Sequence, residues 1–138
     1  MTPIPSLVLV TDRHATEGRE LVAVVTAALD AGLPAVQLRE KDLPGRQLLE
    51  IAEQLRTATA RTGALLLVND RIDVALAVGA DGVHLGGTSV PVLAIGGITV
   101  RQVPAVRAAG AAGVAVIRAI LGAPDPAAAT RKLVATLV

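Results

Sequence analysis

The chain of 138 residues contains no Phe, Trp, Tyr or Cys and only one Met. Without aromatic rings, its core has to be assembled from Leu, Val, Ile and Ala, forgoing the large area that an aromatic side chain buries. The same absence removes the platforms on which nucleic-acid bases stack. Thirteen basic and twelve acidic residues leave a net charge of +1 with no Lys/Arg run, so a nucleic-acid footprint is missing as well. The lack of cysteine excludes disulfides and thiolate metal sites and leaves the redox compartment open. Long apolar runs are also missing. The N-terminal segment has no basic region, and its apolar stretch Leu7 to Val10 is soon followed by Asp12, which fits a strand better than a signal peptide or membrane span. A soluble, cytoplasmic protein with no nucleic-acid or membrane partner is the expectation.

The chain has the length of one domain, taken as residues 1–138, and 52% of it is hydrophobic. Leu7 to Val10, Ala35 to Leu38, Ala64 to Val68 and Gly113 to Ile117 read as short, continuously apolar strands of the kind buried on both faces of a parallel sheet. Gly82 to Leu85 and Val92 to Ile95 read the same way. Helical patterns span 19–31, 47–62, 72–78, 100–109 and 126–137, the last with Asp125 as N-cap and Pro126 at its first position. Three similar helix-to-strand turns, at 29–36, 77–83 and 108–114, mark a repeated β/α unit. The fold class expected is α/β, with parallel β/α units of the (β/α)8 barrel type but six strands in place of eight. One connection breaks the rhythm. Only Gly86 to Pro91 separate the fourth strand from the fifth, whereas a parallel crossover needs roughly a dozen residues.

In such folds function gathers at the C-terminal ends of the strands, and the polar residues fall there. Gln37, Arg39 and Lys41 alternate along an extended strand end, so that period two places them on one side. An Arg fork and a Lys point charge suit phosphate; a solvated ion-pair cluster with Glu40 and Asp42 is the alternative. In Asn69-Asp70-Arg71, Asp70 suits a hard cation such as Mg²⁺, but from the residues alone Asn69 or Asp70 capping the next helix is the favoured reading. Gly96-Gly97 before a helix presents backbone N–H groups to phosphate, or is a tight turn. His84 is expected to be a packed, hydrogen-bonded histidine rather than a catalyst, and His14 a loop residue.

Taken together, Gln37-Leu-Arg-Glu-Lys41, Asn69-Asp-Arg71, Gly79-Ala-Asp-Gly-Val-His-Leu-Gly86 and Ala94-Ile-Gly-Gly-Ile-Thr99 closely resemble the motifs of thiamine-phosphate synthase and the related TenI-type thiazole tautomerase, in family order. The stretch from Ala108 to Ile120 is similar to that family's last strand. The resemblance implies a (β/α)8 barrel that joins hydroxymethylpyrimidine diphosphate to thiazole phosphate with release of pyrophosphate and with Mg²⁺ as cofactor. It assigns Gln37, Arg39, Lys41 and Asn69 to the diphosphate substrate, Asp70 to Mg²⁺, and the backbone of Gly97 and around Ile117 and Arg118 to the thiazole phosphate; Arg71 is a further substrate-binding candidate. No catalytic residue is assigned.

The chain departs from the family pattern around Ser89 and at Arg118. Ser89 stands where the synthase has a second metal-binding Asp, Arg118 stands where it has a small Ser, and Gly87-Thr88-Ser89 is closer to the TenI branch. Two strands of the family, carrying a Ser, a Thr-rich loop and a Lys, as well as the TenI histidine, have no counterpart between His84 and Gly96. Val90-Pro91-Val92 reads as the start of one unit joined to the end of another. The readings carried forward are a synthase, a TenI-type tautomerase, an inactive phosphate-binding remnant, and a half-barrel that self-associates into a homo-oligomer.

Overall fold

The structure, a computed structural model, describes residues 5–84, 93–109 and 111–137. Its strands are β1 (Leu7–Val10), β2 (Ala35–Leu38), β3 (Leu65–Asn69), β4 (Gly82–His84), β5 (Leu93–Ala94) and β6 (Gly113–Val116). The helices are α1 (Leu21–Asp30), α2 (Gly45–Thr62), α3 (Ile72–Val78), α4 (Val103–Ala108), α5 (Arg118–Leu121) and α6 (Pro126–Leu137). Short 3₁₀ turns at Arg13–Ala15 and Val100–Gln102 complete it. The turn at Arg13–Ala15 and the one-turn α5 escape a reading based on apolar period, because each is too short to show one. The expected cap on the last helix is present: the Asp125 carboxylate accepts from the Ala128 N–H at 3.0 Å. Gly63, at φ 77°, ends α2 in the left-handed conformation that glycine adopts without steric cost.

Every strand pairing is parallel, in the order β4-β3-β2-β1-β6-β5. Leu7 and Leu9 of β1 join Val36, Leu38, Leu66, Val68, Val114 and Val116 under the helices, where they meet Val25, Ala28, Leu55, Ile120 and Leu133. The opposite face carries a much smaller cluster of Val8, Val10, Ala35 and Ala115, flanked by Leu65, Leu93 and Ile117. Strand β1 is thus buried on both faces, as its unbroken Leu-Val-Leu-Val run requires. Asp81 pins the far side. Its carboxylate accepts from the buried Leu66 N–H at 2.8 Å and from Arg56 Nη1 at 3.0 Å.

The short connection now has a spatial meaning. Strands β4 and β5 are the two outer strands of the sheet, at opposite edges, although only eight residues, 85–92, lie between them. In a closed eight-stranded barrel the first strand lies between the second and the last. Here β1 lies between β2 and β6. The observed order is that ring with two consecutive strands taken out between β4 and β5. Exposed large apolar side chains mark both edges: Ile72 and Leu76 on α3, Val83 on β4 and Ile95 just after β5. The expectation that Gly82 to Leu85 is a buried strand is therefore corrected. Val83 and His84 are exposed because β4 pairs only with β3 among the described residues. Leu85 and Val92, expected as strand residues, lie outside the described residues.

Two variants test this packing. A Cβ added at Gly113 would lie 2.2 Å from the Ser6 carbonyl oxygen, in the β1–β6 ladder where Val114 N–H donates to that same oxygen at 2.9 Å. Gly113→Ala is expected to destabilise by about 1–3 kcal/mol or more, and Asp81→Ala by about 1–3 kcal/mol through the unsatisfied Leu66 N–H. Urea denaturation monitored by far-ultraviolet circular dichroism measures both, and midpoints equal to wild type would contradict the assignment.

Candidate functional site

The end of β2 is built on the end of β1. Thr11, fully buried, donates its backbone N–H to the Gln37 carbonyl at 2.9 Å, and its Oγ1 accepts from the Arg39 N–H at 2.9 Å. These two bonds carry the parallel pairing beyond the strands and set the direction of residues 37–40. Leu38 and Glu40 are buried, Leu38 among the helix-side residues. Gln37 faces the other way, with its Oε1 3.3 Å from Nδ1 of His84. His84 is exposed, so the expectation of a packed histidine is corrected. It borders the open face of the sheet, across β3 from Gln37.

The acidic residues of this segment do not pair with its cations. Arg13 donates its backbone N–H and Nη1 to Glu40 Oε1, at 3.0 and 3.3 Å. The same guanidinium grips Asp42 with both terminal nitrogens, Nη2 to Oδ2 at 2.8 Å. His14 Nε2 lies 3.0 Å from Asp42 Oδ2. The Arg13 guanidinium, with help from His14, holds the Asp42 carboxyl well below the usual carboxylate range. The ion-pair alternative, in which Glu40 and Asp42 would neutralise Arg39 and Lys41, is therefore corrected. Among the described residues, neither Arg39 nor Lys41 forms a salt bridge. Arg13 belongs to the polar end of the first strand and His14 to the loop after it, but their pairing with Glu40 and Asp42 was not foreseen. Their signal was the Thr-Asp-Arg-His run after the first strand, whose partner 27 to 29 residues away has no trace in local pattern.

Lys41 lies in a turn beyond β2 and not on the strand. The period-two placement on one side with Gln37 and Arg39 does not extend to it. Instead Lys41 lines a cavity of about 320 Å³ with Leu38, Glu40, Leu43, Leu48, Asn69, Asp70 and Arg71. Helix α3 is not capped by Asn69 or Asp70. Its N-cap is Arg71, with no side-chain cap bond, so the capping explanation for those two residues is corrected. Asp70 is held at φ 60°, an uncommon conformation for a non-glycine residue, with its N–H donated to the His84 carbonyl at 2.9 Å. Asn69 Nδ2 donates to Asp70 Oδ2 at 3.3 Å. Arg71 is turned to Asp73 in a two-pronged pair of 3.0 and 2.7 Å. That pair holds the Asp73 carboxyl down at about 2.

A second cavity, about 280 Å³, lies at the ends of β5 and β6, lined by Asp12, residues 95–99 and residues 115–119. It brings Gly96, Gly97, Ile117 and Arg118 together, as the sequence suggested. Gly96 and Gly97 adopt φ of 108° and 61°, so the tight turn is real and directs backbone toward the cavity. Thr99 then opens the Val100–Gln102 turn, with its N–H donated to Gln102 Oε1 at 2.8 Å. The Asp12 carboxylate is engaged by the His14 N–H at 3.0 Å. Because β1 lies between β2 and β6, the two cavities flank its C-terminal end.

For a divalent cation the first cavity offers the Asp70 carboxylate and, lining the same space, Glu40, whose Oε2 is buried without a hydrogen-bond partner among the described residues. Among the described residues no group of three or more His, Cys, Asp or Glu is gathered. That donor set is too small for an all-protein cage but fits Mg²⁺, which is typically held by one or two carboxylates together with substrate phosphates.

A family model described as thiamine monophosphate synthase matches residues 7–92 and again residues 87–120. The chain belongs to the thiamine monophosphate synthase family. A Geobacter sulfurreducens relative is 40% identical over 200 aligned positions, covering 96% of this chain and 94% of the relative. The thiamine-phosphate synthase of Roseiflexus castenholzii is 36% identical, over 95% of this chain and 89% of its own. The structure of a thiamine phosphate pyrophosphorylase from Pyrococcus furiosus superposes with a TM-score of 0.85 at 29% identity, covering 96% of this chain and 95% of that one. By family the chain is thiamine-phosphate-synthase-like, a transferase of thiamine biosynthesis. The two family matches overlap at 87–92, so one stretch fits two places in the family. An alignment of 200 positions cannot be filled by 138 residues, so at least 62 of them face no residue of this chain. At roughly 30 residues per β/α unit, that is the two units missing from the strand order. Of the departures from the family pattern, Gly87-Thr88-Ser89 lies outside the described residues, whereas Arg118 lines the second cavity.

The Arg71–Asp73 pair has a measurable signature. Asp73 is depressed from 3.8 to about 2, so the pair's stabilisation is present above pH 4 and lost as pH falls from about 4 through 2. Carboxyl carbon NMR is expected to show Asp73 titrating near 2, and Arg71→Ala to return it toward 3.8. An unchanged titration in that variant would remove the pair.

Proposed function

We propose that this chain, as a single domain, binds hydroxymethylpyrimidine diphosphate in the cavity at β2 and β3 and thiazole phosphate in the cavity at β5 and β6, and joins them into thiamine phosphate and pyrophosphate. The observation that carries the reading is Lys41, spared by Glu40 and Asp42 and lining one cavity with Asn69, Asp70 and Arg71, with Arg39, also without a salt bridge among the described residues, two residues before it. Gln37, Arg39, Lys41, Asn69 and Arg71 are the residues for the diphosphate, with Arg71 exchanging Asp73 for phosphate oxygens. Backbone at Gly97 and Ile117, with Arg118 at the rim, serves the second phosphate. The carbon–oxygen bond to pyrophosphate breaks and a bond from that carbon to the thiazole nitrogen forms. Charge develops on the departing pyrophosphate, where fixed cations lower the barrier most. Mg²⁺, when bound through Asp70, would neutralise part of that charge. No described helix is long and apolar enough to cross a membrane, and a cytoplasmic enzyme is the placement we propose.

A coupled assay with both substrates and Mg²⁺ tests this. Asp70→Ala is expected to lower kcat/KM by about 100-fold and Arg39→Ala to raise KM for the diphosphate. Absence of product, with no loss on Asp70→Ala, would reject the synthase reading. Pyrophosphate binding without turnover would identify an inactive remnant, and thiazole isomerisation alone a TenI-type tautomerase.

One observation favours a second reading, self-association of an open half-barrel. Ile72, Leu76, Val83 and Ile95 are exposed at the two edges, and unpaired edges template further pairing. Light scattering is expected to give a dimer or larger, and Leu76→Asp with Ile95→Asp to shift it to monomer. A monomeric wild type removes this reading.

A further inference from the structure

We propose that Arg13 is a positioning residue that keeps Arg39 and Lys41 available to phosphate by sequestering Glu40 and Asp42, the two carboxylates on either side of Lys41. The proposal rests on the reading above, that Arg39 and Lys41 serve the diphosphate. Residues 39–42 alternate in sign, Arg-Glu-Lys-Asp. Left to itself such a segment can neutralise its own cations, and a carboxylate a few ångströms from a phosphate site opposes an anionic ligand.

The structure prevents this from outside the segment. Asp12, at the end of β1, caps the 3₁₀ turn that presents Arg13. Arg13 then takes Glu40 through its backbone N–H at 3.0 Å and Nη1 at 3.3 Å, and Asp42 through both terminal nitrogens. A planar guanidinium holds its donors in a fixed fork that suits the two-pronged grip on Asp42 together with the bond to Glu40, a geometry that a Lys ammonium, a point charge with three rotatable donors, does not impose. His14 adds a contact to Asp42 at 3.0 Å. The Glu40 side chain is 1% exposed, and its Oε2 has no hydrogen-bond partner among the described residues. Unpaired buried carboxylate is costly, so if Arg13 were removed Glu40 would draw in the nearest cation. Lys41 lines the same cavity.

The test is calorimetric titration with pyrophosphate in buffer free of divalent cations, where Glu40 acts only as a charge beside Lys41 and not as a cation donor. Arg13→Met is expected to weaken binding by tenfold or more. Adding Glu40→Gln and Asp42→Asn to it is expected to return affinity to within about threefold of wild type. The control carries Arg13→Met with Glu50→Gln and Glu53→Gln, two exposed acids of α2, so its net charge is the same, and it is expected to stay weak. Equal recovery in both triple variants would reduce the effect to net charge, and recovery in neither would mean that Arg13 itself holds phosphate; either result overturns the proposal. If Arg13→Met does not fold, Arg13→Lys replaces it. There Asp42→Asn is expected to restore binding and Glu53→Gln not to, and the converse overturns the proposal. A crystal structure of the Arg13 variant decides the matter without ligand. Lys41 or Arg39 is expected within 4 Å of Glu40 or Asp42, and both cations still unpaired would overturn the proposal even where pyrophosphate fails to bind the wild type and the functional reading falls.

Discussion

The parallel pairing of β1 with β2 on one side and β6 on the other is the constraint on which everything else depends. All four residues of β1 are buried, those on one face under the helices and those on the other in the small cluster with Ala35 and Ala115. The bonds from Thr11 to Gln37 and Arg39 continue that ladder past the strand ends. Both cavities lie at its C-terminal end, one on each side. A core of aliphatic residues alone suffices because the buried strands are short and their side chains interdigitate in register, and because close approaches such as Gly113 against Ser6 leave no room for anything larger.

At the strand ends the chemistry is a question of which charge meets which. Thirteen cations and twelve anions in a small chain could cancel locally, and at α2 and α3 they largely do, through Arg46 with Glu50, Arg56 with Asp81 and Arg71 with Asp73. Beside β2 the allocation differs. A single guanidinium from the turn after β1 takes up two carboxylates, and the cations next to them form no salt bridge among the described residues. The exposed pair with Asp42 contributes little to stability, whereas Glu40 is buried, so its bonds to Arg13 support the fold as well as setting the local field.

The open sheet follows from the same topology. The order of its strands is that of a closed ring lacking two neighbours, and the family match, split at 87–92, locates the loss at the same point. Exposure of Ile72, Leu76, Val83 and Ile95 is the physical cost: side chains that would face adjacent units in a closed barrel face solvent. The polar strand ends assigned to the diphosphate belong to the retained strands β2 and β3, whereas the wall opposite them is where the missing units would stand.

The fold class, the parallel strands, the caps at Asp125 and Gly63 and the anomalous connection were legible in the sequence, because apolar runs, glycine stops and spacing are local signals that short-range sterics and burial impose. Gly96–Gly97 and Arg118 were legible as separate strand ends, and the family resemblance joined them with Ile117; the cavity that all four line is a feature of the tertiary structure. Tertiary structure alone decided the rest. Whether Glu40 and Asp42 neutralise Lys41 depends on Arg13, 27 and 29 residues away, and whether His84 is buried depends on what lies beyond β4. Lys41 left the strand face because the chain turns there, and Asp70 is no helix cap because Arg71 stands at that position. Local pattern determines which segments become strands and helices; charge partners and edge exposure are set by contacts distant in sequence, which no period along the chain encodes.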